Sequence, residues 1–264
     1  MEKETASVPV DRFVEGRKTS ATDLVVREVP LTIVLNSQEL VTLLCSPAGL
    51  DYLAVGFLVS EGLLKTREDL RGVTVDDRAG VARVETATDA GLPRDALFKR
   101  VITSGCGRGA SLYSAADVGT LEKVESRTLV SSAEILALMH QFQQRSEVYR
   151  ATGGVHSAAL CDTKTTLVFA EDIGRHNAID KVFGRCLLDD VATEGRIVTT
   201  SGRVSSEMLF KVARRGVPLV VSKSAPTNLG IRLAGELGIT LVGFVRGKRM
   251  TVYSNSWRIA SDQG

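Results

Sequence analysis

The pattern of apolar and polar residues gives the first half of the chain an α+β character. Two β-rich runs, residues 30–35 and 39–44, flank a polar triplet at 36–38 and predict a hairpin. Behind them, apolar residues recur at helical spacing between Leu50 and Leu64, and Ser46 and Pro47 predict the N-cap and first turn of that helix. Residues 73–75 and 81–84 predict a second hairpin.

In the second half of the chain, segments with the pattern of a strand alternate with segments with the pattern of a helix. Ser131 and Glu134 form a capping-box pattern that predicts a helix to about Tyr149. Strands are then predicted at 155–160, 166–170, 196–200, 218–222, 240–245 and 249–253. One helix is predicted to start near residue 175, and two more are predicted at 205–215 and 226–237. Strands that alternate with helices of this length predict βαβ units and a mainly parallel sheet.

Length, composition and cysteine usage narrow the class of protein. The 264 residues carry a formal net charge of +2, too small to indicate general nucleic-acid binding. The four cysteines form no C-x-x-C pair, which favours a reducing compartment and argues against a disulfide framework. The polar first 23 residues lack the apolar core of a signal peptide, and no apolar run is long enough for a bilayer. We therefore expect a cytoplasmic protein. The strand and helix patterns divide it into a tail at 1–23, an α+β domain at 24–125 and an α/β domain at 126–264.

Polar residues gather where strands of the second half give way to helices, at 171–177, 200–206 and 222–227. Such turns converge at the carboxyl edge of an α/β sheet, where helix N-termini favour phosphate. Arg175, Arg203 and Lys223 add one cation to each turn, and Ser201 adds a hydroxyl. One such turn is usually only a capped helix, but three in succession favour a phosphate-bearing ligand. None has a Walker or dinucleotide-binding glycine pattern.

Histidines offer weaker candidates. His176 and Asp180 stand four residues apart on one predicted helix, which fits a local surface pair as well as a catalytic one. His156 follows two glycines, as a zinc-deaminase ligand would, but residue 158 is alanine and the paired cysteines of such a site are missing. The sequence thus argues against a zinc site.

One cysteine stands in a loop of glycines. Residues 103–109 read Thr-Ser-Gly-Cys-Gly-Arg-Gly, after an apolar run at 97–102 that predicts a strand. Glycines on both sides leave Cys106 uncovered, and Arg108 would favour its thiolate. An incidental exposed cysteine in a tight turn explains the pattern equally well when it is taken alone.

Several longer stretches, including residues 152–160, 171–181, 200–203, 222–227 and 243–247, resemble the FdhD/NarQ family of formate dehydrogenase accessory sulfurtransferases. The resemblance runs from about residue 24 to the end. It implies a cytidine-deaminase-like α/β domain without the deaminase zinc, preceded by a smaller α+β domain. It also implies that Cys106 carries persulfide sulfur from a cysteine desulfurase to the bis-molybdopterin guanine dinucleotide cofactor of formate dehydrogenase.

The resemblance places cofactor binding near the C-terminus and makes a homodimer an expectation. The implied stretch is Phe244, Val245, Arg246, Gly247, Lys248 and Arg249. Its three cations and glycine suit a diphosphate, although a basic β-turn would look the same. With Arg175, His176, Ser201, Arg203 and Lys223, these residues form the predicted cofactor site. No metal of the protein's own is expected.

One position departs from the family pattern. Many members carry Cys-Gly-x-Cys-Gly in the loop, and here Gly109 stands in place of the second cysteine. Persulfide formation needs only one thiolate, so Cys106 suffices for loading. The alternative is a non-catalytic chaperone that binds the molybdenum cofactor.

Overall fold

The computed structural model describes residues 3–87, 101–102, 110–111 and 121–260. The chain begins with a hairpin of two ten-residue strands, β1 (Thr5–Val14) and β2 (Arg17–Val26), joined through Glu15 and Gly16 at positive φ. The segment assigned from the sequence only as a tail is therefore mostly β-strand.

A four-stranded sheet and one helix follow. The strands are β3 (Val29–Leu35), β4 (Gln38–Cys45), β5 (Leu70–Asp76) and β6 (Val81–Thr86), and helix α1 (Leu50–Glu61) lies between β4 and β5. Their order is β4-β3-β6-β5, and both predicted hairpins are confirmed. Two short antiparallel strands, β7 (Val101–Ile102) and β8 (Ala110–Ser111), come next.

The second half is built on a six-stranded sheet. Its elements in chain order are β9 (Val130–Ser131), α2 (Ser132–Arg145), α3 (Glu147–Thr152), β10 (His156–Cys161), β11 (Thr166–Asp172), α4 (Arg175–Leu188), β12 (Ile197–Thr200), α5 (Ser206–Arg214), β13 (Leu219–Ser222), α6 (Asn228–Glu236), β14 (Thr240–Arg246), β15 (Arg249–Ser254), a 3₁₀ turn (Ser256–Arg258) and β16 (Ile259–Ala260). The sheet order is β11-β10-β12-β13-β14-β15. β16 pairs with β9 beside it.

The prediction of a mainly parallel sheet is wrong. Of the five strand pairs in the described six-stranded sheet, only β12–β13 and β13–β14 are parallel. β10 runs antiparallel to both β11 and β12, and β15 runs antiparallel to β14. The physical reason lies in how the strands are connected. Short turns join β10 to β11 and β14 to β15, and strands joined by a short turn pair antiparallel. The fold is mixed α/β, and the cytidine-deaminase-like assignment stays a prediction.

Two apolar clusters cover the two faces of this sheet. The smaller one contains side chains from α2, including Ile135 and Phe142, and Val245 of β14. The larger one contains side chains from α4, α5, α6, α1 and the four-stranded sheet. One core thus joins residues of both predicted domains, whose boundary stays a prediction.

Helix α1 lies inside that larger core. Its residues from Leu53 to Ser60 are all buried, as expected of a helix with partners on every side. It crosses α4 at two glycines: a Cβ on Gly56 would lie 1.7 Å from the Asp180 carbonyl oxygen, and one on Gly184 would lie 1.9 Å from the Tyr52 carbonyl oxygen. The backbones of the two helices therefore touch, and α1 fixes the position of α4.

Two predicted boundaries need correction. The N-cap of α1 is Gly49 in a left-handed conformation (φ 62°), because the Ser46 side chain and amide both donate to Asp172 instead. The helix predicted from Ser131 to about Tyr149 is two helices, although its capping box is confirmed. The break falls at Ser146, whose hydroxyl bonds to the Ser157 hydroxyl at 2.9 Å.

Candidate functional site

Strand directions bring one set of chain turns to a single edge of the six-stranded sheet. β12, β13 and β14 are parallel, so their carboxyl ends lie together. The antiparallel registers Ala158↔Thr200 and His156↔Asp172 place the start of β10 and the end of β11 at that same edge. We call it the carboxyl edge. The three polar turns predicted from the sequence all start there.

Asp172 organises the β11 end of the carboxyl edge. Its fully buried carboxylate lies 2.6 Å from the Lys181 ammonium and accepts bonds from Ser46. It also accepts from the Gly174 amide and the Asn177 side chain. These bonds fix the turn that starts α4, and with it the backbone of Arg175 and His176. They also tie that turn to the chain between β4 and α1.

His156 and Ser201 meet across β10 and β12. The Ser201 hydroxyl oxygen accepts the Ser157 amide at 2.9 Å and lies 3.3 Å from His156 Nδ1. Burial, followed by the nearby Arg175 charge, lowers the pKa of His156. The imidazole is therefore neutral at neutral pH, so that Nδ1 can accept a hydrogen bond from the Ser201 hydroxyl in one tautomer.

Glu171 fixes the start of α3 at this edge. Its carboxylate accepts the amides of Val148 and Tyr149 at 3.1 and 3.2 Å, and the Ser157 hydroxyl at 3.3 Å. Burial nevertheless raises the pKa of Glu171, while the two amides oppose the rise. The Tyr149 side chain is exposed, and the Lys223 ammonium lies 5.8 Å from the centroid of its ring.

The β14–β15 turn carries the residues that the family resemblance implies for cofactor binding. Phe244 has φ 52°, a conformation that costs energy for a bulky residue, and its amide donates to the Ser224 carbonyl at 3.0 Å. Arg246 Nε donates to the Lys223 carbonyl at 3.1 Å. Two of the predicted turns are thereby joined directly.

The other residues of this turn differ in exposure. Gly247 has φ 57°, as the tight turn between Arg246 and its cross-strand partner Arg249 requires. Lys248 and Arg249 are exposed, as is Arg203 after β12. Val245 is fully buried in the core, so any ligand contact it makes must come from its main chain.

The predicted pair of His176 and Asp180 is wrong. Asp180 is buried against α5, where the Lys211 ammonium lies 2.6 Å from its carboxylate and the Ser60 hydroxyl of α1 donates to it. His176 lies instead beside Glu207, with Nδ1 3.2 Å from Oε2. Both side chains are mostly buried, at 21% and 17% exposed.

Burial shifts the pKa values of both His176 and Glu207 in the direction that favours their neutral forms. Burial, with Lys211 and Arg175 nearby, lowers the pKa of His176 to about 3. Burial raises the pKa of Glu207, against the charges of Arg175 and Lys211. Within the described part of the chain, three buried polar atoms here lack a well-formed hydrogen bond: His176 Nε2, Glu207 Oε2 and Ser205 Oγ.

Tyr149 and Glu207 were missed by the sequence reasoning. Glu207 falls in the first turn of α5, directly after the turn 200–206, so extending that pattern by one residue would have included it. Tyr149 gave no such signal, because it was assigned to the end of a long helix.

The predicted catalytic residue, Cys106, lies outside the described residues, as do Arg108 and Gly109. The other three cysteines are buried and free. Burial raises the pKa of Cys45 and of Cys186 to about 12, and it raises the pKa of Cys161 as well.

Among the described residues, no group of three histidine, cysteine, aspartate or glutamate side chains is placed to hold a metal ion. The helices in that part of the chain are too short or too polar to span a bilayer. A cavity of about 740 Å³ lies on the four-stranded sheet, lined by residues including Asn36, Arg71, Arg83 and Glu85. Its acidic and basic groups balance, and it lies away from the carboxyl edge.

Comparison with known proteins identifies the family. The model of the FdhD/NarQ family matches residues 26–260. The chain belongs to the FdhD/NarQ family. It is 43% identical over 250 residues to the sulfur carrier protein FdhD of Bacillus pumilus (strain SAFR-032), covering 95% of each chain. It is also 43% identical over 258 residues to the sulfur carrier protein FdhD of Bacillus subtilis (strain 168), covering 98% of each.

A solved structure of a relative agrees with the fold. The crystal structure of a protein named as a formate dehydrogenase accessory protein from Desulfotalea psychrophila superposes with a TM-score of 0.81 at 27% identity. The match covers 97% of this chain and all of that one. This FdhD/NarQ member therefore has the same overall fold as that protein.

Proposed function

We propose that the protein is a cytoplasmic sulfurtransferase that receives persulfide sulfur from a cysteine desulfurase on Cys106. It then passes this sulfur to the bis-molybdopterin guanine dinucleotide cofactor of formate dehydrogenase. The relatives' names, sulfur carrier and formate dehydrogenase accessory protein, support this role. The observation that carries it is the state of the cysteines: three of the four are buried with raised pKa values, which leaves Cys106 as the candidate nucleophile.

The loading step needs no second thiol in this chain. The Cys106 thiolate attacks the outer sulfur of the donor's persulfide, forming a new S–S bond while the donor's own S–S bond breaks. The electron pair of the broken bond leaves with the donor cysteine as its thiolate. The product is a persulfide on Cys106, and no oxidant or reductant is consumed.

The carboxyl edge is the proposed binding surface for the cofactor, which is the substrate of the transfer. Arg175, Arg203, Lys223 and Arg246 come from four different turns of that edge, and Arg246 is bonded to the Lys223 main chain. Cations on separate rigid turns suit a ligand with several phosphate oxygens. Arg249 and Lys248 extend the positive charge along the β14–β15 turn, and the Ser201 hydroxyl and the neutral imidazole of His156 add hydrogen-bonding groups.

The sulfur step is tested by intact-mass measurement after incubation with a cysteine desulfurase and cysteine. The parent protein should gain the mass of one sulfur atom, and Cys106→Ala should gain none. Cys161→Ser is the matched control, because the Cys161 thiol lies between the Thr166 and Thr199 hydroxyls and a serine can keep those bonds. Equal sulfur loading of Cys106→Ala and the parent would contradict the proposal.

The binding step is tested separately with GDP, which shares guanine, ribose and diphosphate with the cofactor. Loss of one charge-assisted contact, by Arg246→Ala or Arg203→Ala, should weaken binding by roughly tenfold to a hundredfold. Arg78→Ala, in the β5–β6 turn away from the edge, should bind as the parent does. Unchanged affinity in both edge variants would show that the ligand lies elsewhere.

A non-catalytic cofactor chaperone is the second candidate, and Gly109 in place of a second loop cysteine is what favours it. The two candidates differ in one outcome. A Cys106→Ala protein that fully restores formate dehydrogenase activity in a strain lacking the parent protein would favour the chaperone.

A further inference from the structure

Two exposed aromatic rings stand at the carboxyl edge, each beside a cation. Tyr149 is 45% exposed and has the Lys223 ammonium 5.8 Å from its ring centroid. Phe244 is 37% exposed and has the Arg246 guanidinium carbon 5.9 Å from its centroid. A ligand that covered these rings would gain free energy by removing their apolar surface from water.

The two ring–cation pairs are connected through the chain that follows β13. Arg246 donates to the Lys223 carbonyl, and the Phe244 amide donates to the Ser224 carbonyl. Lys223 in turn reaches the Tyr149 ring. Both rings therefore flank the same two residues, Lys223 and Ser224.

Neither ring lies on a freely moving loop. Glu171 accepts the amides of Val148 and Tyr149, which fixes the first turn of α3 to the end of β11. Phe244 is held at a φ of 52°, where a side chain of its size is strained. Strain of this kind persists where the surrounding structure imposes it and is concentrated at functional sites.

We propose that Tyr149 and Phe244 form a base-binding element, in which a planar heteroaromatic base of the ligand stacks on the exposed rings. Lys223 and Arg246 then meet the phosphates of the same ligand. This inference rests on the proposed function and adds to it the part of the site that reads the base. Aromatic platforms beside cations are a common way to bind nucleotides, because every base has a π-face and every phosphate a negative charge.

The arrangement favours a nucleotide over a simple polyanion. Phosphate alone needs only the cations and would leave both rings exposed. A nucleotide uses all four side chains at once. The base-binding element therefore predicts that an aromatic base adds affinity beyond that of a diphosphate.

Calorimetric titration with GDP and with inorganic pyrophosphate separates the two contributions. Tyr149→Ala should weaken GDP binding about tenfold, since stacking on one ring contributes on the order of 1–3 kcal/mol, and should leave pyrophosphate binding unchanged. Tyr149→Phe keeps the ring and should bind GDP within about twofold of the parent. Phe244→Leu should behave like Tyr149→Ala.

A surface control and a fold control complete the experiment. Leu229 on α6 is 41% exposed, so Leu229→Ala removes comparable apolar surface without touching the rings. It should leave both titrations unchanged. Thermal unfolding of each variant within a few degrees of the parent excludes loss of fold as the cause.

The outcomes distinguish the two proposals. If Arg246→Ala weakens GDP binding while Tyr149→Ala and Phe244→Leu do not, the base-binding element is wrong and the cofactor surface stands. If Tyr149→Ala weakens GDP and pyrophosphate equally, the ring only positions Lys223, and the inference is likewise wrong. If the parent binds neither ligand, both the inference and the proposed cofactor surface are overturned.

Discussion

His176 on α4 faces Glu207 on α5, with 3.2 Å between Nδ1 and Oε2. One helical turn further along each helix, Asp180 faces Lys211 at 2.6 Å. The two helices are thus joined by two successive contacts, a titratable pair near the carboxyl edge and a buried ion pair beneath it. The outer pair can respond to pH, whereas the inner one holds the helices together.

The outer pair makes stability sensitive to mild acid. The unfolded His176 takes up a proton near its ordinary pKa of 6.5, while the folded one resists down to about 3. Its stabilising contribution is therefore complete above pH 6.5 and is lost as the pH falls toward 3. Between about pH 7 and about pH 5, the parent should lose about 1–2 kcal/mol more stability than His176→Gln does.

Urea unfolding at several pH values measures this difference, and NMR titration of the imidazole gives a direct reading. Arg175, Lys211, Glu207 and His156 are the charged or titratable groups around His176. The raised pKa of Glu207 gives a contribution of opposite sign, so Glu207→Gln should enlarge the acid loss. An imidazole of His176 that titrates with a midpoint near 6.5 would refute the prediction.

The inner pair should be costly to break from one side. In Lys211→Met, Ser60 is the one hydrogen-bond partner that the buried Asp180 keeps among the described residues. Burial already raises the pKa of Asp180 and Lys211 opposes this rise, so the variant carboxyl either takes up a proton or stays as an unpaired charge. We expect a loss of about 3–5 kcal/mol in the free energy of unfolding.

Replacing both partners is the informative control. Asp180→Asn with Lys211→Met removes both charges and can keep the Ser60 contact, so it should recover much of that loss. Arg232→Ala, which breaks an exposed pair with Glu236 on α6, should change stability by less than about 0.5 kcal/mol. A Lys211→Met protein as stable as the Arg232 variant would contradict the assignment of the inner pair.

The cysteines should differ sharply in reactivity. Cys45, Cys161 and Cys186 are buried, and their raised pKa values keep them as thiols at neutral and mildly alkaline pH. Brief treatment of the native protein with iodoacetamide should therefore add one label, and Cys106→Ala should add none. All four cysteines of the parent should react after denaturation. Labelling of Cys45 or Cys186 in the native protein, read by peptide mass spectrometry, would go against the prediction.

The periodic elements could be predicted from the sequence because local patterns determine them. The capping box at Ser131 and the alternating strands of both hairpins depend on residues close in the chain. The polar turns at the carboxyl edge could be predicted for the same reason, because each one directly follows a strand in the chain.

Long-range partners could not be predicted in this way. Ser46 looks like an N-cap until Asp172, 126 residues away, takes both its hydroxyl and its amide. Asp180 looks like the partner of His176 until α5 packs against α4 and brings Lys211 and Glu207 to them. Only the tertiary fold decides between a local partner and a distant one of similar chemistry.

The glycine contact between α1 and α4 gives the sharpest test of that tertiary fold. A methyl group on Gly56 would fall 1.7 Å from the Asp180 carbonyl oxygen, and one on Gly184 would fall 1.9 Å from the Tyr52 carbonyl oxygen. Backbone atoms cannot rotate away as a side chain can, so the helices must separate and open the core around Leu53 and Ile179. We expect Gly56→Ala to destabilise the protein by about 3 kcal/mol or more in chemical denaturation.

The matched control is another helical glycine with free space around it. Gly235 on α6 has no atom within 4 Å of the position of an added Cβ, and alanine is the better helix former. Gly235→Ala should therefore raise stability by about 0.5–1 kcal/mol. If the two substitutions have the same effect, α1 and α4 do not pack through their backbones. If Gly56→Ala destabilises and Gly235→Ala stabilises, the backbone contact at Gly56 and Gly184 is what holds the body of α4 against α1.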